Sequence, residues 1–145
     1  MTRAYATMVL LTAAAPAHAG PAADVVAYLY AHIDAPFEAA ERDRFTGPAR
    51  ALLDANDALW EEGQEACLDF SFVVDGQDWD DGEIAGSLAL TEAVDGDAAV
   101  VTARFTNFGE THTLDWTLAR DGGVWRIADV ASPAGAWRLS TLTCG

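Results

Sequence analysis

Apolar residues recur every three to four positions up to residue 62 and every second position from residue 68 onward. That single change of period divides the chain into a helical front and a stranded remainder. Val25, Leu29 and Ile33 stand at i, i+4 and i+8, with Val26 and Tyr30 beside them, Asp24 as a capping residue, and Pro36 ending the run. Glu38 to Arg44 has room for a further helical turn. Gly47-Pro48 opens a second helix, since Pro is favoured at the first helical position. Its stripe is Leu52, Leu53, Asn56, Leu59 and Trp60, it runs to Glu62, and Gly63 occupies the site that follows a helix end. Alternation then predicts strands through Leu68-Phe70-Phe72-Val74, Ile84-Gly86-Leu88-Leu90, Val101-Ala103-Phe105, His112-Leu114-Trp116-Leu118 and Trp125-Ile127. The links Asp95-Gly96-Asp97, Asn107-Phe108-Gly109-Glu110 and Asp121-Gly122-Gly123 are too short for parallel crossovers. The expected class is therefore α+β, with N-terminal helices packed on a curved antiparallel meander of four to five strands.

Residues 1–19 read as an address rather than as part of the fold. Arg3 precedes an apolar run centred on Met8-Val9-Leu10-Leu11, and small residues end in Ala17-His18-Ala19. This is the pattern of a cleaved secretory signal, and the run is far short of the roughly 20 apolar residues of a membrane span. Cleavage after Ala19 leaves one domain, residues 20–145, destined for the periplasm or the exterior. No Cys follows the apolar run, so a lipoprotein is not expected.

Charge narrows the partners. Arg supplies all 8 basic side chains against 23 Asp and Glu, for a formal net charge of −15; removal of the leader with Arg3 makes it −16. Such a chain has no basic face for nucleic acid and is repelled by an anionic membrane surface. An even pair of cysteines in an oxidising compartment favours a Cys67–Cys144 disulfide. With only those two Cys, His32 and His112 beyond the leader, no zinc site is expected.

Helices followed by a meander resemble the nuclear-transport-factor-2-like (cystatin-like) cone. The local sequence is similar to small exported bacterial proteins of unknown function that carry that fold. The matching residues are Leu68-Asp69-Phe70 leading to Gly76-Gln77-Asp78, then Trp125-Arg126-Ile127-Ala128-Asp129-Val130 and Trp137-Arg138-Leu139. The resemblance implies a fold and an exported location, and no particular reaction.

The most unusual stretch, 75–83, carries five acids and two glycines in nine residues. Its spacing does not meet the EF-hand pattern, and a solvated connection in which Gln77 and Asp78 cap buried backbone is expected instead of a calcium site. His112 and Trp116 share a strand face that in a cone lines the pocket, whereas Asp115 points away from His112. His32 lies near a helix C-terminus, where a cation is favoured. Trp60, Trp116 and Trp125 fit core stripes; Trp79 and Trp137 lie near turns. No G-x-S-x-G elbow and no phosphate-binding glycine motif is present.

Three functions follow as expectations. The first is a non-enzymatic exported module, without a cofactor, that encloses a small apolar ligand near Gln77, Asp78, His112 and Trp116. The second is an acidic immunity or inhibitor-type protein that binds a cationic cell-wall enzyme or toxin. The third is an isomerase or hydratase using His112. Pairing of two copies through their sheets is compatible with each.

Overall fold

In the computed structural model, residues 20–144 are described; the expected leader lies outside them. Three helices, α1 (Pro21–Ala31), α2 (Gly47–Glu61) and α3 (Asp81–Ser87), precede five strands: β1 (Ala89–Asp95), β2 (Ala98–Asn107), β3 (Glu110–Asp121), β4 (Val124–Ser132) and β5 (Trp137–Arg138). The sheet is antiparallel throughout in the order β1-β2-β3-β4-β5. Helices first and a curved meander second is the cone-like α+β architecture read from the sequence. No described helix is long and apolar enough to cross a membrane.

The hairpins follow from their turn residues. Asn107 pairs with Glu110 and Asp121 with Val124, each across a two-residue loop. Phe108-Gly109 and Gly122-Gly123 all have positive φ, the requirement of a type I′ turn whose twist matches the strands. Phe108 adopts φ +49° without the freedom of glycine, and two N–H bonds hold it there: Glu83 accepts from Phe108 at 2.9 Å and from Gly109 at 2.8 Å.

The inner faces of β2, β3 and β4 alternate with solvent-facing positions, and the helices roof that face. Val101, Phe105, Leu114, Trp116 and Ile127 have no exposed surface, nor do Leu29, Phe45, Leu53 and Phe72 above them. Trp116 packs edge-on to Tyr30 at 6.1 Å between centroids and tilts against Phe72 at 6.2 Å. Asn56, the one polar member of the α2 stripe, is buried, and its Oδ1 accepts the Leu68 N–H at 3.0 Å. That bond starts the turn that brings Cys67 to Cys144, bridged with 5.3 Å between Cα atoms.

Four sequence expectations need correction. Residues 68–74 are not a strand: Phe72, Val73 and Val74 are consecutively buried, and the chain folds back in a turn closed by a Ser71–Gly76 bridge. Residues 84–88 are the end of α3, because Ile84 and Leu88 satisfy an i, i+4 helical spacing as well as a period of two. Helix α1 begins at Pro21, with Gly20 at its cap and Asp24 inside the first turn. Trp60 is 72% exposed, because the last turn of α2 carries it off the buried arc of Ala49, Leu52, Leu53 and Asn56.

Candidate functional site

The acidic segment 75–83 is where loop, helix and sheet meet. Asp80 caps α3 by accepting the Glu83 N–H at 2.9 Å, which places acids in the first helical turn, where the dipole favours them. Glu83 then clamps the β2–β3 hairpin as described. Asn107, buried at that hairpin, accepts the Asp80 N–H and donates to the Asp78 carbonyl, both at 3.0 Å. Gln77 donates to the Asp69 carbonyl at 2.9 Å. The carboxylates of Asp80 and Glu83 thus serve separate structural bonds, and no group of three His, Cys, Asp or Glu side chains among the described residues is arranged to hold a metal.

Asp75 is the residue that sequence reasoning missed. It adopts φ +55°, a left-handed conformation that Asp tolerates, at the apex of the 68–76 turn. There its carboxylate accepts Trp137 Nε1 at 2.8 Å and the Ser132 hydroxyl at 2.9 Å, and lies 3.6 Å from His112 Nδ1. His112 stacks on Phe105 with 5.3 Å between centroids. The acid facing His112 therefore comes from a loop 37 positions earlier rather than from Asp115, whose Oδ1 accepts the Thr102 hydroxyl. No local pattern announces such a pairing; the glycine at 76 is the sole sequence hint of a turn there.

This cluster is a fastening more than a reaction centre. Both Asp75 oxygens are committed to donors on β4 and β5. Tyr30 approaches from α1, and its hydroxyl accepts Trp116 Nε1 at 3.4 Å. Burial pushes the Tyr30 hydroxyl far above its ordinary range, more than the Trp116 bond lowers it, so it stays protonated at any physiological pH. Asp75→Ala should cost about 2–3 kcal/mol by leaving Trp137 Nε1 and the buried Ser132 hydroxyl without an acceptor, with Asp75→Asn recovering roughly half. Urea unfolding of the three proteins measures this.

Beside the fastening, a groove of about 530 Å³ opens between the end of α1 and the start of α3. Tyr30, His32, Asp34, Glu38, Trp79 and Asp81 are among its lining residues. Asp34, Glu38 and Asp81 are exposed and form no hydrogen bond or ion pair through their side chains among the described residues. Trp79, half-buried against the core, lines the same groove. Of the sequence-selected residues, His112 is partly buried in the Asp75 cluster and Trp116 is fully buried against Tyr30 and Phe72. Gln77 and Asp78 are exposed on the connecting loop. His112 and Trp116 share the inner face of β3 four positions apart, linked through Phe105 and Tyr30 rather than in contact, and Gln77 and Asp78 belong to a different element.

The wider charge distribution repeats the groove's sign. Residues 51–103 hold 14 Asp and Glu and no Arg, Lys or His. Arg42 is buried and donates to both Asp54 (2.8 Å) and Asp57 (2.6 Å), while Arg120 and Arg138 pair with Asp97 and Asp129. Several of the cations thus neutralise structural acids, and none of the ion pairs among the described residues reaches the groove's carboxylates.

No protein-family model matches the chain, and no curated protein is similar to it. Two solved structures are. One is the type VI native effector-immunity complex Tae3-Tai3 from Ralstonia pickettii, a chain of which superposes with a TM-score of 0.56 at 16% identity over 78% of this chain and 94% of that one. The other is the selenomethionine form of the same complex, with a TM-score of 0.54 at 17% identity over 79% of this chain and 97% of that one. At such identities the likeness is one of fold: the chain shares its architecture over nearly the whole length of a chain from an effector-immunity complex.

Proposed function

We propose that this protein is an exported, non-enzymatic immunity or inhibitor-type protein that binds a cationic cell-wall enzyme or toxin through its acidic groove. The observation that carries the reading is the groove itself: three carboxylates with no ion pair among the described residues share its lining with Trp79, a setting for an Arg or Lys side chain of a partner. Three further facts support it. The net charge of −15 steers a cationic partner at a high, salt-sensitive rate. The fold is that of a chain from a type VI effector-immunity complex. The Cys67–Cys144 bridge suits an oxidising compartment.

A small apolar ligand has less to recommend it. The inner face of the sheet, where such a ligand would lie, is filled by Trp116, Phe72, Phe105 and Tyr30. An isomerase or hydratase would use His112, which is stacked on Phe105, mostly buried, and not among the lining of the groove. The test is affinity capture from periplasmic extract at about 0.1 M and about 1 M salt, with the captured fraction run on a peptidoglycan zymogram. A basic protein with hydrolytic activity, retained at low salt and released at high salt, is the expected result; capture of nothing at either salt contradicts the reading.

A further inference from the structure

The start of α1 meets a carboxylate whose second oxygen has no hydrogen-bond partner among the described residues. Glu92 lies on the inner side of edge strand β1, half-buried, and its Oε2 accepts the Ala23 N–H at 2.8 Å. That satisfies one of the N–H groups that the first turn of any helix leaves open, a service that Gly20, without a side chain, cannot perform as cap. The other oxygen, Oε1, faces Gly20. A methyl group built on Gly20 would collide with it and would stand 3.3 Å from Glu92 Cδ. The Gly20 nitrogen is bonded to the same Cα, about 2.5 Å from that methyl position, which sets it within about 6 Å of the carboxylate carbon. No Arg or His among the described residues pairs with Glu92.

We propose that the chain is processed between Ala19 and Gly20, and that the ammonium group so created on Gly20 pairs with the Glu92 carboxylate, adding an ion pair to the Ala23–Glu92 bond between α1 and the edge strand once the leader has gone. Hydrolysis of the Ala19–Gly20 bond consumes one water, leaves a carboxylate on Ala19 and frees an amine on Gly20 that is protonated at neutral pH. Several features converge on this junction. Ala17-His18-Ala19 presents small residues at the two positions a signal peptidase reads. Glycine follows, where any side chain would displace Glu92. Pro21 comes next, with φ already set for the helix and no N–H to satisfy. Before cleavage the carboxylate faces a neutral amide; after it, a cation. The inference rests on export of the chain and is independent of what the groove binds.

The sequence contains no Lys, so the processed protein carries one primary amine and a single-site probe is available. The full chain with its leader is expressed in a bacterium, recovered from the periplasm, and its N-terminus read by intact mass. Reductive ¹³C-methylation then labels the amine for NMR titration in the wild-type and Glu92→Gln proteins, the latter still able to accept the Ala23 N–H. Comparing two methylated proteins cancels the effect of methylation itself. The expected result is a Gly20 N-terminus whose amine titrates about one unit higher in the wild type than in the variant, with the difference shrinking in about 1 M salt. Stability from the pair is then fully present below the ordinary amine range near pH 8 and lost as pH rises through the raised value. An N-terminus at any other residue overturns the processing. A Gly20 start whose amine titrates identically in wild type and variant overturns the pair.

Discussion

Trp116→Ala should lower the unfolding free energy by about 3–5 kcal/mol, the range for truncating a large aromatic ring in a close-packed interior. For a domain of this size that corresponds to a fall in Tm of roughly 15 °C. The reason is position. Trp116 has no exposed surface, lies on the inner face of β3, and touches aromatic rings from two elements that roof that face: Tyr30 from α1 and Phe72 from the turn after α2. The strand register places Val101 on one flank and Val130 on the other. A cavity there undoes the packing of Tyr30 and Phe72 on the inner face of the sheet. Trp116→Phe keeps most of the volume and should cost well under half as much. Thermal melts of the three proteins decide it; an alanine variant that melts within a few degrees of the wild type would mean that the inner face is not the core described here.

Loss of the Cys67–Cys144 bridge should be about as severe. The bridge spans 77 positions, and the chain-entropy model assigns a loop of that length about 4–5 kcal/mol. The mechanism acts on the unfolded chain, whose ends are otherwise free to separate. There is a native component as well. The C-terminal segment lies against α2, its Leu139 is fully buried, and Asp129 holds it by accepting the Ser140 N–H at 2.9 Å and pairing with Arg138 at 3.2 Å. Reduction should therefore lower the Tm by roughly 15 °C, and the Cys67→Ser/Cys144→Ser protein should melt where the reduced wild type does. A reduced protein that melts with the oxidised one would show that Asp129 and Leu139 anchor the tail without help.

Those elements also mark what was legible in the sequence. Long strands with one wet face and hairpins with glycine at the turn announce themselves, because alternation and positive φ are local properties; β2, β3 and β4 and their links stand where periodicity placed them. Helix α2 was equally plain from Pro48 and Gly63, except that a helix stripe does not reveal where the sheet beneath it ends, and Trp60 fell beyond that edge. Two segments were ambiguous for a physical reason. Alternate apolar residues at 68–74 are buried on every side because the turn inserts into the core rather than lying along a sheet. Ile84 and Leu88 fit both a strand and a single helical turn, and the Asp80 cap with Glu83 decided for the helix.

The site was less legible than the fold. His112 was visible as a polar residue on an inner face, but its acid, Asp75, comes from a loop whose path no local signal specifies. The Trp-Arg-Ile-x-Asp strand end proved structural, with Asp129 tying down the tail. The acidity of segment 75–83 was conspicuous, yet three of its five carboxylates, Asp75, Asp80 and Glu83, fasten, cap and clamp. The unpaired acids that shape the groove, Asp34 and Glu38, come from the connection after α1 and join Asp81 only in three dimensions. Bulk charge gave the sign of the surface; the fold decided which carboxylates were left uncompensated.

The most direct measurement uses the cationic hydrolase recovered by capture and compares its association rate with wild-type protein and with the Asp34→Asn/Glu38→Gln/Asp81→Asn variant, at about 0.1 M and about 1 M salt. These side chains form no internal bonds among the described residues, so the variant should melt with the wild type. If the groove is the docking face, wild type should associate roughly 10-fold faster at low salt than at high salt, and the neutralised variant should lose most of that dependence together with about 10-fold or more in affinity. Equal affinity and equal salt dependence for the two proteins would place the partner elsewhere and contradict the proposed role of the groove.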